Sequence, residues 1–198
     1  MSDGPGHVVP FRFELSSLVE RSVASLYSHL VTRPTGQALR LGIESQIGEI
    51  GSTCLSVLDF AQVAFVDYSC ADETVAKLIQ RFLADDRPAD AYFVVRGMAE
   101  HHREPIDAVL ERHGLALVAE TEPGTGMLLG VVSEAERAAW SVVERLGRAD
   151  STDVAGALGI PVAEAAGLLG SLVRRRIALR GRRNGYHYSL ISLLAATS

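Results

Sequence analysis

The sequence predicts an α/β chain in two parts: a layered sheet domain in front, and a helix-rich domain behind it that ends in a basic hairpin. Three observations carry this reading. Between residues 11 and 120, short apolar runs alternate with segments of helical period, as in a sheet covered by helices. From residue 133 the pattern changes to three short helical segments and then two strands around Asn184-Gly185, a strong hairpin turn signal. The charge also changes sign along the chain. Residues 133–198 hold nine arginines and six acids, a balance of +3, so with a net charge of −5 the preceding residues carry −8. An acidic front and a basic back point to two modules with different partners.

Residues 1–10 are polar and rich in Gly and Pro, and they read as a loose tail. They lack the basic start and apolar run of a signal peptide. The chain has 198 residues and is 47% hydrophobic, enough for a substantial core. No run approaches the ~20 apolar residues of a membrane span. A cytoplasmic protein is expected, with Cys54 and Cys70 as buried thiols.

In the front part, residues 11–15 alternate and read as a strand. Residues 16–25 are ambiguous. Residues 25–34 read as a second strand, stopped by Pro34, with Thr35 capping the next helix. Leu39, Ile43, Ile47 and Ile50 make one apolar face of that helix. Residues 54–60 read as a strand buried on both sides. Ser69 opens a helix with a stripe of Val75, Leu78, Ile79 and Phe82. Residues 91–97 are a further buried strand. Pro105 suits the first turn of a helix and Gly114 its C-terminal cap. Residues 115–120 close the domain as a strand. Residues 121–132, which begin "TEPGTG", read as a linker.

In the back part, Ser133 and Glu136 form a capping box. Trp140, Val143 and Leu146 face inward, and Gly147 ends that helix. Ser151 caps a short helix that ends at Gly159. Pro161 starts a third, with Val162, Ala165, Ala166, Leu169, Leu172 and Val173 as its apolar stripe. Residues 176–180 are a strand, 181–185 a turn and 186–192 the return strand, with His187 exposed on the face opposite Tyr186 and Tyr188. Three short helices followed by a basic hairpin read as a winged helix-turn-helix. No internal repeat or low-complexity segment is present.

At "LDFAQVAFVDYSCADE" the front part, residues 11–120, resembles the STAS and STAS-like domains, the group of the anti-sigma-factor antagonists. The shared pattern is a buried strand with Asp and an aromatic, a gap, and an apolar-Asp pair at a strand-to-helix turn. "HLVTRPTGQALR", with Thr32-Arg33 before a helix, is similar to the STAS-like branch. The resemblance implies a protein-binding domain whose regulatory turn is Asp67, Tyr68, Ser69 and Cys70. In the phosphorylated members that turn reads Asp-Ser-Ser-Gly, and the first serine takes the phosphate. Here Asp67 matches the Asp, Tyr68 stands at the acceptor serine, Ser69 matches the second serine and Cys70 replaces the glycine. Ser69 itself reads as a helix cap that accepts from the Asp72 N–H, with Asp72 and Glu73 favouring the positive helix end. A phosphate there would meet those acids. The back part resembles the winged-helix bacterial regulators, which implies a third helix in the major groove and a wing against the DNA backbone.

"RRRIALRGRR" is the strongest local signal, with six arginines in ten residues. Such a cluster suits phosphate contact, which releases counterions and makes binding salt-dependent. Arg174, Arg175, Arg180, Arg182, Arg183 and Asn184 are the candidate contacts to double-stranded DNA, with Ser171 near the bases. The remaining outward positions of the third helix, Ala163, Glu164, Gly167 and Gly170, offer little base reading. A solvated basic edge, a dock for an acidic protein, or a homodimer through the small residues stay open. His101, His102 and His113 are too loosely spaced for a metal site. No cofactor motif is present, and Asp59 with Asp67 supplies no reaction by itself, so no enzyme is expected. Cys70 reads as packed, or as an oxidant sensor with a lowered pKa. The expected function is a transcription regulator whose front domain senses a protein or small-molecule signal. The alternative is a partner-switching adaptor that binds no DNA.

Overall fold

The computed structural model describes residues 9–14, 29–50, 53–181 and 185–195. The front part contains β1 (Val9–Glu14), β2 (His29–Leu30), α1 (Arg33–Ile50), β3 (Cys54–Asp59) and β4 (Phe65–Val66). A helical run follows, made of α2 (Tyr68–Ala71), a π-helical turn (Asp72–Lys77) and α3 (Leu78–Leu83). Then come β5 (Ala91–Arg96), α4 (Glu100–Arg112), β6 (Ala116–Glu122) and β7 (Thr125–Gly130). The back part is α5 (Glu134–Leu146), β8 (Arg148–Ala149), α6 (Ser151–Leu158), α7 (Val162–Arg174), β9 (Leu179–Arg180), β10 (His187–Tyr188) and α8 (Leu190–Ala195). The fold is mixed α/β, as the alternation of strands and helices predicts.

The apolar runs become the middle of a five-stranded sheet in the order β1-β3-β5-β6-β7. Its first four strands are parallel and β7 is antiparallel to β6. Along β3, β5, β6 and β7, residues enter two opposite cores. Cys54, Leu58, Phe93, Val95, Leu117 and Leu129 face one core, completed by Ile43 and Ile47 of α1, Phe82 of α3 and Ile106 of α4. Leu55, Val57, Tyr92, Val94, Val118 and Leu128 face the other. That second core is completed by the back part, through Trp140, Val143, Val154, Leu169, Leu172 and Ile191. A sheet covered on both faces needs apolar residues at every position, which explains the unbroken apolar runs in the sequence.

This packing corrects the division into a front domain, a linker and a back domain. Residues 121–132 are not a linker. Most of them form the β6–β7 hairpin, with Glu122 paired to Thr125 across Pro123-Gly124. Gly124 has φ 80°, a backbone state that glycine supplies at low cost. The boundary near 133 marks a change of pattern, while the two parts share one apolar core.

Several local expectations also change. Within the described residues the second strand is only His29–Leu30, and α1 begins at Arg33, so Thr35 lies inside its first turn. Helix α4 starts at Glu100, which puts Pro105 in its interior and removes one backbone N–H there. Leu146 is exposed rather than inward. On α7 the buried stripe reduces to Ala165, Leu169 and Leu172, with Val162 exposed. Asp150, not Ser151, caps α6, accepting from the Thr152 and Asp153 N–H groups. The return strand is only His187–Tyr188, because 190–195 is α8, and His187 is buried. The Ser133–Glu136 capping box, the Gly147 and Gly159 helix ends and Gly114 after α4 are as expected.

In the back part, α5, α6 and α7 pack beside a three-stranded sheet in the order β8-β10-β9. Helices α6 and α7 meet at 113°. Among the described residues no single helix is long and apolar enough to cross a membrane.

Candidate functional site

Strands β2 and β4 pair in parallel, His29 to Phe65 and Leu30 to Val66. The segments that follow them therefore run side by side. These are residues 32–36 and 67–70, the two stretches that the sequence singles out separately. Asp67 joins them. Its extended backbone (φ −89°, ψ 165°) precedes α2, and Oδ1 accepts from the Cys70 N–H at 2.7 Å and the Ser69 hydroxyl at 2.9 Å. Oδ2 accepts from the Thr32 N–H at 3.1 Å.

Asp67 is therefore the helix cap, and Ser69 is a donor to it. The charged carboxylate accepts several N–H and O–H groups at once, which a hydroxyl cannot match. Burial raises the Asp67 pKa, but the bonds from Cys70, Thr32 and Ser69 outweigh this and hold it below the usual carboxylate range. Thr32 has φ 77°, a left-handed state that is costly for a β-branched residue. A Cβ on Gly36 would stand 2.9 Å from the Cys70 carbonyl oxygen and from the Glu73 Cβ, so α1 meets the helical run backbone to backbone. Cys70 is fully buried, and burial pushes its pKa up to about 11. It is a packed thiol, which overturns the oxidant-sensor reading that rested on a lowered pKa. Burial likewise pushes Cys54 up to about 12. Tyr68 is the turn's outward side chain, 52% exposed, with its hydroxyl donating to Glu104 Oε1 at 2.8 Å. Phe65, close in sequence, is also exposed.

Behind the turn lies an ionic cluster that sequence reasoning missed. Asp72 and Glu73 open the π-helical turn and are 5% and 3% exposed. Asp72 accepts from Arg33 at 3.0 Å and sits 2.6 Å from His113 Nε2. Glu73 accepts from Arg33 at 2.7 Å and from Lys77, with Arg40 at 3.5 Å. Burial raises both carboxyl pKa values, yet these partners outweigh it and leave both below the usual range. The signal was present: Asp72 falls three residues before Val75 and seven before Ile79, on the buried stripe. Its acid reads as a helix-dipole residue unless that spacing is noticed.

The predicted DNA contacts separate into three groups. Ser171 donates to Glu136 Oε1 at 2.5 Å, and Arg175 donates to the Val131 carbonyl, so both are drawn back into the protein. Arg182, Arg183 and Asn184 lie outside the described residues. Arg174 and Arg180 are exposed, and no acid among the described residues pairs with either. They line a groove with Ser151, Gly170, Gly185 and His187. The Arg174 guanidinium folds over Gly170, with Nη1 3.4 Å from where a Cβ would stand. Arg176, which the sequence placed in the same cluster, instead binds Asp90 and lies 4.8 Å over the Tyr92 ring.

The remaining candidates are occupied. Asp59 accepts from Arg96 at 2.9 Å and from the Ala61 N–H at 3.0 Å. His101 Nε2 lies 2.8 Å from the Ala64 carbonyl oxygen, and His102 Nδ1 accepts from the Ala99 N–H. No protein-family model, curated protein or solved structure matches this chain.

Proposed function

We propose that this chain is a cytoplasmic regulator that binds double-stranded DNA through its back part, folded as a winged helix-turn-helix. The front part acts as a STAS-like domain that receives a protein or small-molecule signal at the turn around Tyr68. The observation that carries the reading is the arrangement of α5, β8, α6, α7, β9 and β10. Its sheet order of β8-β10-β9 and its 113° helix crossing suit that motif, and two unpaired arginines lie beside it. Binding rests on phosphate contacts more than on base reading. The outward positions of α7 carry Ala163, Glu164, Ala166 and Gly167, none of which suits recognition of a base edge except Glu164. A gel-shift series on random duplex DNA at rising salt tests the reading. The expected result is retardation at low salt that fades steeply as salt rises. No retardation at low salt removes the DNA claim.

A second reading has its own support. Tyr68 and Phe65 present aromatic surface beside the turn, and α7 is bland. A partner-switching adaptor would use these faces for proteins. Recovery of a protein partner whose binding is lost in Tyr68→Ala, with no duplex retardation, selects it.

A further inference from the structure

We propose that the outward face of α7 and the groove beside it form a self-complementary seat for a second copy of this chain. The two α7 helices pack antiparallel about a two-fold axis. Such a dimer holds whether or not the chain binds duplex, because its contact is the apolar part of this surface.

Between residues 156 and 173 the only charged side chain is Glu164. Helices α6 and α7 together have the length and apolar composition of a membrane span, yet they meet at 113°. Their outward residues stay uncovered among the described residues: Ala157, Ala163 and Ala166 are exposed, and Val162 is 50% exposed. A contiguous apolar face of this kind marks an interaction site.

Three features fit the face to itself. Val162 projects at the start of α7, and a groove of about 540 Å³, lined in part by Ala166, Gly170, Val173 and Arg174, runs along the later half of the same helix. In an antiparallel pair, residues equally far from the axis meet. An axis beside Leu168 therefore sets Val162 of one copy against Val173 and Arg174 of the other, at its groove, and the reverse contact repeats it. The charges agree with this direction. Glu164 and Arg174 stand near opposite ends of α7, about 15 Å apart along it, and neither forms an ion pair among the described residues. The antiparallel arrangement brings each Glu164 within reach of the other copy's Arg174, whereas a parallel one sets like charges together. A lipid surface would take the valine and leave both charges unpaired. Finally, Gly167 lies beside the axis. A Cβ there would meet nothing within 4 Å, so the chain's own packing does not call for glycine. Glycine inside a helix is destabilising, and the close approach of a second backbone accounts for it.

The test is the mass of the full chain in solution, by sedimentation over a dilution series. Wild type is expected at twice the 21.2 kDa of one chain when concentrated, falling to one chain on dilution. Val162→Asp should weaken the dimer roughly tenfold or more, since the carboxylate would be buried at the contact. Glu164→Arg should weaken it by setting like charges together, and adding Arg174→Glu should restore most of the loss. That rescue separates a contact between copies from a structural role, which a second substitution would only worsen. A dimer that Val162→Asp and Glu164→Arg leave unchanged lies elsewhere and overturns the proposal. A chain that stays monomeric at every concentration overturns it too, including one that instead binds vesicles of phosphatidylcholine and phosphatidylglycerol. Neither result touches the DNA reading, which the duplex series tests by itself.

Discussion

Arg33 and Arg40 lie within reach of two buried acids, Asp72 and Glu73, whereas Arg174 and Arg180 face a groove that contains no acid. Arg33 and Arg40 lie on α1, Arg174 at the end of α7 and Arg180 on β9. The difference lies in what faces them. In the front cluster a π-helical turn brings two consecutive carboxylates inward, so the cations there are spent on the fold. In the back groove the neighbours include Gly170, Gly185, Ser151 and His187, and no acid lines it among the described residues, so the positive charge stays available. Pairing, not the count of basic residues, separates structural arginines from binding ones.

The largest test of this contrast is Glu73→Ala. It leaves Arg33 and Lys77 without their buried partner and should cost about 2 kcal/mol. This is below the usual cost of breaking a buried pair, because both cations reach solvent. Denaturant unfolding measures it. Asp67→Ala should cost about 1–2 kcal/mol, since the cap and the Thr32 contact go together. Ser69→Ala keeps the cap and should cost about 0.5 kcal/mol, a value that separates it from the cap residue.

Acid dependence sharpens the same point. Asp67, Asp72 and Glu73 all have folded pKa values below their unfolded ones. The stability they contribute is present above the ordinary carboxylate range, about pH 4, and is lost as pH falls through their folded values. Thermal melts at falling pH should show wild type losing more stability than Glu73→Gln. Equal losses would mean that the Glu73 charge contributes nothing. The smallest stability effect belongs to the groove: Arg174→Ala and Arg180→Ala should each stay within about 0.5 kcal/mol of wild type.

The sheet was legible because strands covered on both faces are mostly apolar, as residues 54–58 are apart from Ser56 and as residues 91–95 are. The β6–β7 hairpin was missed because Pro123-Gly124 and the surrounding Thr and Gly residues read as linker punctuation. The apolar "MLL" after the turn was the contrary signal. Two cap assignments failed in the same way. In Asp67-Tyr68-Ser69 and in Asp150-Ser151 the sequence offers two good cap residues close together, and the carboxylate takes the position in both. The fate of the arginines was not legible. Arg175 and Arg176 differ from Arg174 only in which way the end of α7 turns them. That is set by Val131, Asp90 and Tyr92, all distant in sequence.

The most direct measurement is the salt dependence of duplex binding by wild type and by the Arg174→Ala, Arg180→Ala double variant. Two lost phosphate contacts should weaken binding and flatten the slope of log affinity against log salt by about 1.8. An unchanged slope in a double variant that melts like wild type would contradict the claim that these two arginines are the open ones among the described residues of the cluster.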